Sequence, residues 1–437
     1  GHNVTIEWQA SDSLSFSNVA AYGESEVYGP STIMGLSGLE FTAGAVLPYA
    51  QFAAISFLAG QGVNVAHPAN GALVGSTIQN FAAAFPGQVG SYFAGYEGNN
   101  FGQAEQFSNE LQANYDSDFL TLTVGALWYR SKELSSGLPG YAPNFAFSPV
   151  PQLLPLGDVQ ESRSRTTSLA AYAQAEFHLT PQLDLVVGGR LTRDKKTGGL
   201  IVGGTYTGGA DRTSGQITGT AAFPWSFKKT KPTYAMGLNY RPNSDLMVYG
   251  KYSTAFLSGG AVGNFAFAPE TVKSWEGGVK SEWLDRRLRL NLAVYHAKYR
   301  NSQSAQSGQN VGAPELGVVV IDNGPIRAQG FELEAALVPA RGLTFGGSLG
   351  YTDTKWLDPS PLLTQGRPVK PTGQPKWIGT VNAQYVTPPL FGDAVGYFRI
   401  DANYQGKYRA VPFTDIAQVT PIFAPYAFTP GRWIVNG

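Results

Sequence analysis

Glu276, Lys280 and Glu282 are separated by even numbers of residues, as are Glu332 and Glu334, and Arg399 and Asp401. Even spacing places side chains on one face of an extended chain. Each set therefore offers charge to one side only, and its chemistry is ion pairing and hydrogen bonding, with Arg or Lys of a partner or with water. Glu110, Glu176, Arg190 and Lys251 sit in similar surroundings. Catalytic constellations are missing. The four histidines (His2, His67, His178, His296) lack the i, i+2 or i, i+4 spacing that builds a metal site. With no cysteine, disulfides, thiolate-bound metals and thiol catalysis are excluded. Gly346-Gly-Ser-Leu-Gly350 matches Gly-x-Ser-x-Gly by letters, but that motif needs a strand-to-helix elbow, and here it falls within a strand pattern. No enzyme, cofactor or metal is expected.

Alternating strands must position these charges. In Leu183–Thr192, Leu183, Leu185, Val187, Gly189 and Leu191 share one face, and Asp184, Arg190 and Thr192 lie on the other. The same alternation gives an apolar face through Val4, Ile6 and Trp8; Leu122, Val124 and Trp128; Tyr234, Met236 and Leu238; Phe345 and Leu349; and Phe398 and Ile400. The charges named above fall on the opposite face. Short turns centre on Ser11–Ser13, Asp116–Asp118, Thr180–Gln182, Arg241–Ser244, Leu284–Arg287, Pro339–Gly342 and Pro388–Asp393. Between these hairpins run long segments, for example 135–162 and 358–375. Short turns at one rim and long loops at the other mark an outer-membrane barrel. A soluble sandwich would have short loops at both ends.

Composition agrees. The 437 residues carry 31 basic and 31 acidic side chains, and only 14% are charged, against roughly 25% in soluble proteins. No electrostatic case for nucleic acid arises. Apolar runs of about 18 residues are absent, which excludes membrane helices but not barrel strands. One segment, Phe41 to Tyr96, has no charged residue. It lies within a long loop placed at 25–103, with short helices expected over the barrel mouth. Phe41, Tyr49, Phe52, Phe57, Phe81, Phe85, Tyr92, Phe93 and Tyr96 are its candidates for ligand contact; the other reading is that they pack on one another. Lys228, Lys229 and Arg212 are read as loop cations able to meet an anionic ligand.

Ordered phrases carry a family likeness. Glu105-Gln-Phe-Ser-Asn-Glu-Leu-Gln112 with Leu122–Arg130, Ala171–Thr180 with Leu183–Arg190, Tyr249–Phe256 with Pro269–Glu282, Leu288–Tyr295, and Gly330-Phe-Glu-Leu-Glu334 together resemble the barrel of TonB-dependent outer-membrane receptors. The resemblance implies an all-β transmembrane antiparallel barrel of the 22-strand type. About 14–15 of its strands are counted here, an odd and unfinished number for a bacterial barrel. Residues 1–437 are thus read as one partial barrel domain, a fragment of a longer precursor, with plug and terminal strands missing. The likeness also implies energy-coupled uptake of a siderophore–iron complex, cobalamin or carbohydrate across a Gram-negative outer membrane. Expected partners are outer-membrane lipid, a TonB-type complex reached through the missing N-terminal part, and a small-molecule ligand, with the receptor a monomer. The inner charges would then touch a plug. A passive porin-like channel and a surface adhesion or structural barrel are the alternatives.

Overall fold

The structure, a computed structural model, describes residues 1–33, 38–60, 63, 65, 67–137, 147–151, 153–155, 158–207, 216–218, 221–307, 311, 318–364, 366–415 and 427–437. One sheet of 17 strands dominates; two of its members are three-residue pieces. The other fifteen form the wall: β1 (His2–Ser11), β2 (Leu14–Ile33), β3 (Gly95–Asp116), β4 (Leu120–Gly137), β5 (Asp158–Thr180), β6 (Leu183–Thr207), β7 (Ala221–Asn243), β8 (Leu246–Leu257), β9 (Glu270–Trp283), β10 (Leu288–Arg300), β11 (Ile326–Ala340), β12 (Leu343–Trp356), β13 (Trp377–Val386), β14 (Tyr397–Gln405) and β15 (Arg432–Asn436). Each pairs antiparallel with the next in the chain.

All seven expected turns close hairpins of this wall. The turn near Arg241 moves by one step, because β7 continues to Asn243 before Ser244 and Asp245 reverse the chain. At the other rim the strands run further than the alternation shows. β2 and β3 stay paired from Leu14↔Tyr115 to Ile33↔Tyr96, so the connection spans 34–94 rather than 25–103. Likewise, Ser135↔Ser162 is a pair within the wall, and the expected loop at 135–162 contracts accordingly. A strand needs about 9–11 residues to cross a bilayer. β5 and β6 have 23 and 25, so more than half of each stands beyond the hydrocarbon on the long-loop side.

Register sorts the side chains. Cross-strand partners share a face, and following them from β1 to β15 keeps Trp8, Phe16, Leu122, Leu185, Met236, Val248, Val294, Phe331, Leu349 and Ile400 on one side. This side is open to the surroundings: Met236 is 56% and Trp275 61% exposed. So broad an apolar surface is not left to water. Rings cluster at its long-loop margin, with Tyr252 4.4 Å from Trp275 and Tyr351 4.7 Å from Trp377 between centroids. Trp8–Phe16 and Phe119–Phe177 do so at the short-turn margin. Two aromatic margins around an apolar band are the dress of a lipid-facing wall.

The other side is partly covered. The loop hairpin of Gln303–Ser307 and Val318–Asp322 leaves between β10 and β11, yet Val319 and Ile321 bury themselves against Leu200 and Val202 of β6. Reaching a wall four strands away requires folding across the interior. A smaller hairpin, Gly260–Val262 with Phe265–Phe267, joins the cluster through Val262 and Phe265, and Phe223 of β7 completes it.

Candidate functional site

Every charge singled out from sequence (Glu110, Glu176, Arg190, Lys251, Glu276, Lys280, Glu282, Glu332, Glu334, Arg399, Asp401) lies on this inner face by register. Some are brought together. Lys251 and Glu276 are direct cross-strand partners, with Nζ 2.9 Å from Oε2, while the Tyr249 hydroxyl donates to Oε1 at 2.9 Å. Glu110 and Arg190 meet through Tyr172, whose hydroxyl donates to Glu110 Oε1 at 2.7 Å, accepts from Gln112 Nε2 at 2.7 Å, and whose ring lies under the Arg190 guanidinium. Glu282 pairs with Arg289 at 2.9 Å, and Arg399 forks onto Asp401 at 2.8 and 2.9 Å. Asn291 reaches Glu334 at 3.4 Å. Among the described residues Glu176, Lys280 and Glu332 have neither an ion-pair nor a side-chain hydrogen-bond partner.

Tyrosines were the part of this face not anticipated, although the alternation already placed them there. Tyr172 opposes Gly125, Tyr249 opposes Gly278 and Tyr295 opposes Gly330. In each case a Cβ on the glycine would fall within 2.9 Å of the tyrosine ring or hydroxyl. The ring lies flat over the facing glycine, and its hydroxyl reaches the next polar group, as Tyr295 does at Thr352 (2.6 Å). Tyr172→Phe keeps the ring in place but removes both hydroxyl bonds, so a loss of about 1–2 kcal/mol is expected from urea unfolding of the bilayer-inserted protein.

At the short-turn rim a second network links five strands. Asp184 Oδ1 lies 2.8 Å from His178 Nδ1, its other oxygen accepts from Arg241, His178 Nε2 is 3.3 Å from Thr121 Oγ1, and Thr121 donates to Asp116 at 2.6 Å. Donor atoms of Glu176, His178 and Asp184 approach within 4.8 Å, the one such set among the described residues. The Arg241 guanidinium already occupies Asp184, so the set reads as an ion-pair network tying β3 to β7.

The uncharged segment folds together with the short strand Phe147–Ser148, which pairs with Tyr92–Phe93. Two helices, α1 (Val46–Gly60) and α2 (Gly71–Ala84), pack together, and Phe41, Tyr49 and Phe93 form a buried core with Phe85 and Phe147 around it. Phe41 is 0% exposed, with edge-on rings at 5.5 Å from both Tyr49 and Phe93. These three are buried against one another. Phe52 and Phe57 are exposed, Phe81 stacks on Phe85, and Tyr92 is half-buried. Tyr96 belongs to β3 opposite Ile33, and its side chain lies outside the described residues. Lys228 and Lys229 are wall residues of β7, not loop residues; Lys229 faces inward opposite Asp194, and Lys228 faces outward opposite Lys195. Arg212 lies outside the described residues.

Two further long loops are clasped. Lys370 N–H donates to Pro412 O, Gly373 N–H to Arg409 O and Thr414 N–H to Pro368 O, each at 2.9–3.0 Å. Beside them Arg367 forks onto Asp415 at 2.6–3.0 Å and covers the Phe413 ring at 4.0 Å. Hydrogen bonds from Arg367 hold the Asp415 carboxyl below the usual carboxylate range. A carboxyl depressed in the folded state stabilises it above the ordinary carboxylate pKa, and that contribution is lost as pH falls through the lowered value. Amide exchange at Lys370 and Gly373 is therefore expected to accelerate below about pH 4, and Asp415→Asn should bring the faster exchange to neutral pH.

Comparison with known proteins supplies the remaining observations. A family model described as "TonB dependent receptor-like, beta-barrel" matches residues 6–436. The chain is similar to the ferrichrome outer membrane transporter/phage receptor of Escherichia coli K12, at 30% identity over 168 residues, 38% of this chain and 21% of that protein. It is similar to the ferric-pyoverdine M114 receptor PbuA of a Pseudomonas strain, at 26% over 251 residues, 55% of this chain and 28% of that protein. Among solved structures, the ferric yersiniabactin uptake receptor FyuA from Yersinia pestis superposes with a TM-score of 0.64 at 13% identity, covering 99% of this chain and 52% of that one. The siderophore receptor PiuA from Acinetobacter baumannii does so with a TM-score of 0.59 at 16% identity, covering 99% and 56%. At such identities the superpositions speak for the fold. The chain spans less than a third of either curated relative and about half of either solved structure.

Proposed function

This chain belongs to the TonB-dependent receptor-like β-barrel family, and from that premise we propose that it walls an outer-membrane receptor taking up a ferric siderophore complex by energy-coupled transport. The outer membrane of a Gram-negative bacterium is where such walls sit, and the apolar band between two aromatic margins fits that setting. The family is one of receptors and transporters rather than enzymes.

The observation that carries the proposal is the inner face. Its charges are mostly satisfied within the wall, by Lys251–Glu276, Glu282–Arg289, Arg399–Asp401 and the Tyr172 cluster, and hairpins fold in from the long-loop rim to cover it. A wall whose charges are paired presents a hydrated surface along which a bulky polar complex passes without being trapped. Unpaired Glu176, Lys280 and Glu332 remain to engage a movable partner inside the barrel. The iron-complex assignment rests on what the relatives and structural neighbours are named for, and the choice of complex is left to experiment. The test is a binding panel on the full-length protein in outer-membrane vesicles, with hydroxamate, catecholate and mixed-ligand ferric siderophores, cobalamin and a maltodextrin. Saturable binding of at least one ferric complex is expected. Binding of cobalamin or maltodextrin alone would replace the cargo, and binding of none would remove the receptor reading.

A further inference from the structure

A carboxylate can only accept hydrogen bonds, and a threonine hydroxyl has one proton to give. At the short-turn rim that proton is committed, because Thr121 Oγ1 donates it to Asp116 Oδ1 at 2.6 Å. His178 stands between the two groups, with Nδ1 2.8 Å from Asp184 Oδ1 and Nε2 3.3 Å from Thr121 Oγ1. Both neighbours are therefore acceptors, and only an imidazole carrying a proton on each nitrogen satisfies both. A neutral ring, in either tautomer, turns one lone pair onto an oxygen lone pair. The surrounding charges favour the same form. Asp116 of β3, Glu176 of β5 and Asp184 of β6 face the ring, against one cation, Arg241 of β7, which is bound to Asp184. The ladder between β5 and β6 slips register between His178 and Thr180. A bulge of this kind re-aims side chains, and here the bond from His178 to Asp184 holds the two strands where the ladder is interrupted.

We propose that His178 is a proton-operated latch of the short-turn rim. Protonated, it bridges Asp184 to Thr121, and through Thr121 to Asp116, so that β3, β4, β5 and β6 are tied together. Neutral, it keeps one N–H for Asp184 and accepts the Thr121 proton at Nε2. Asp116 then loses its donor and β3 leaves the network. The two states differ by one proton, released to water, and by which acceptor Thr121 serves. Histidine changes charge near neutrality, with an ordinary pKa of about 6.5. Because the folded protein offers two acceptors to the cation, the latch stabilises the rim fully below about pH 6.5 and is lost as pH rises through the folded-state midpoint. The rim is tightest in mild acid. The inference is independent of the cargo.

Nitrogen NMR of the full-length protein with labelled histidine, in lipid nanodiscs, tests it, the His178 signals being those absent from His178→Gln. At about pH 6.5 both ring nitrogens are expected to carry protons, with a titration midpoint about one pH unit above the ordinary value. Asp116→Asn removes a carboxylate and frees the Thr121 proton for Nε2, so it should lower that midpoint. The Asp116 and Arg241 amides donate to Ser13 O and Gln182 O at this rim. Their protection, corrected for intrinsic exchange, should fall about tenfold across the transition, the change that one unit of linkage supplies. In His178→Gln it should stay level. A His178 midpoint at the ordinary value, a single ring proton at about pH 6.5, a midpoint unmoved by Asp116→Asn, or wild-type protection that stays level through the transition would each overturn the proposal.

Discussion

Gly330→Ala is expected to lower the stability of the barrel by about 3 kcal/mol, the upper part of the range for forcing atoms into filled space. A Cβ at this position would lie 1.8 Å from the Tyr351 carbonyl oxygen and 2.9 Å from the Tyr295 hydroxyl. A rotamer change cannot relieve a clash with backbone, so β11 and β12 would have to separate where Gly330 opposes Thr352. Gly250→Ala is the matched control: it adds the same methyl to β8, where no heavy atom lies within 4 Å, and it should leave stability unchanged or slightly raised. Urea unfolding of both variants in lipid vesicles separates the outcomes. Equal midpoints for the two would show that the close approach at Gly330 is not a constraint on the wall.

Met236→Arg should cost about 2–4 kcal/mol, the expected penalty for a cation near the middle of the lipid face of a barrel. Ala235→Arg, one residue earlier on β7, should cost less than about 1 kcal/mol, because lumen substitutions meet water. The contrast follows from register: Met236 opposes Val187 and Tyr252 on the outer side, and Ala235 opposes Gly188 and Ser253 on the inner. Insertion yield and unfolding midpoints of the two arginine variants measure it. A larger loss at Ala235 would reverse the assignment of the two faces.

The membrane-crossing part of the wall was legible because two constraints coincide there. Lipid demands an apolar residue at every second position, and a slip of one residue would expose the whole set to the wrong side. Leu183 to Leu191 therefore fixed Arg190 inward and, through pairing, Tyr172 beside it. Beyond the bilayer that demand ends. β6 continues through Lys195, Lys196 and Thr197, polar on both sides, so nothing in its pattern separates strand from loop and only pairing with β5 and β7 keeps it extended. The uncharged segment failed differently. With no Asp, Glu, Lys or Arg, α1 has no charged face to mark its solvent side, and sequence cannot say whether Phe41 or Phe52 turns inward. On the outer wall, that Lys273 shares a face with Trp275 is readable, but that Lys273 opposes Lys298, Lys298 opposes Arg327 and Arg327 opposes Lys355 depends on the register of four strands.

Accumulation of a radiolabelled ferric siderophore by receptor-deficient cells expressing the full-length protein tests the central claim most directly, measured before and after a protonophore collapses the proton gradient. The account predicts that bound ligand stays at the cell surface after collapse while accumulation falls to the level of cells lacking the receptor. Accumulation that continues undiminished without the gradient would contradict it and would make this wall a passive channel.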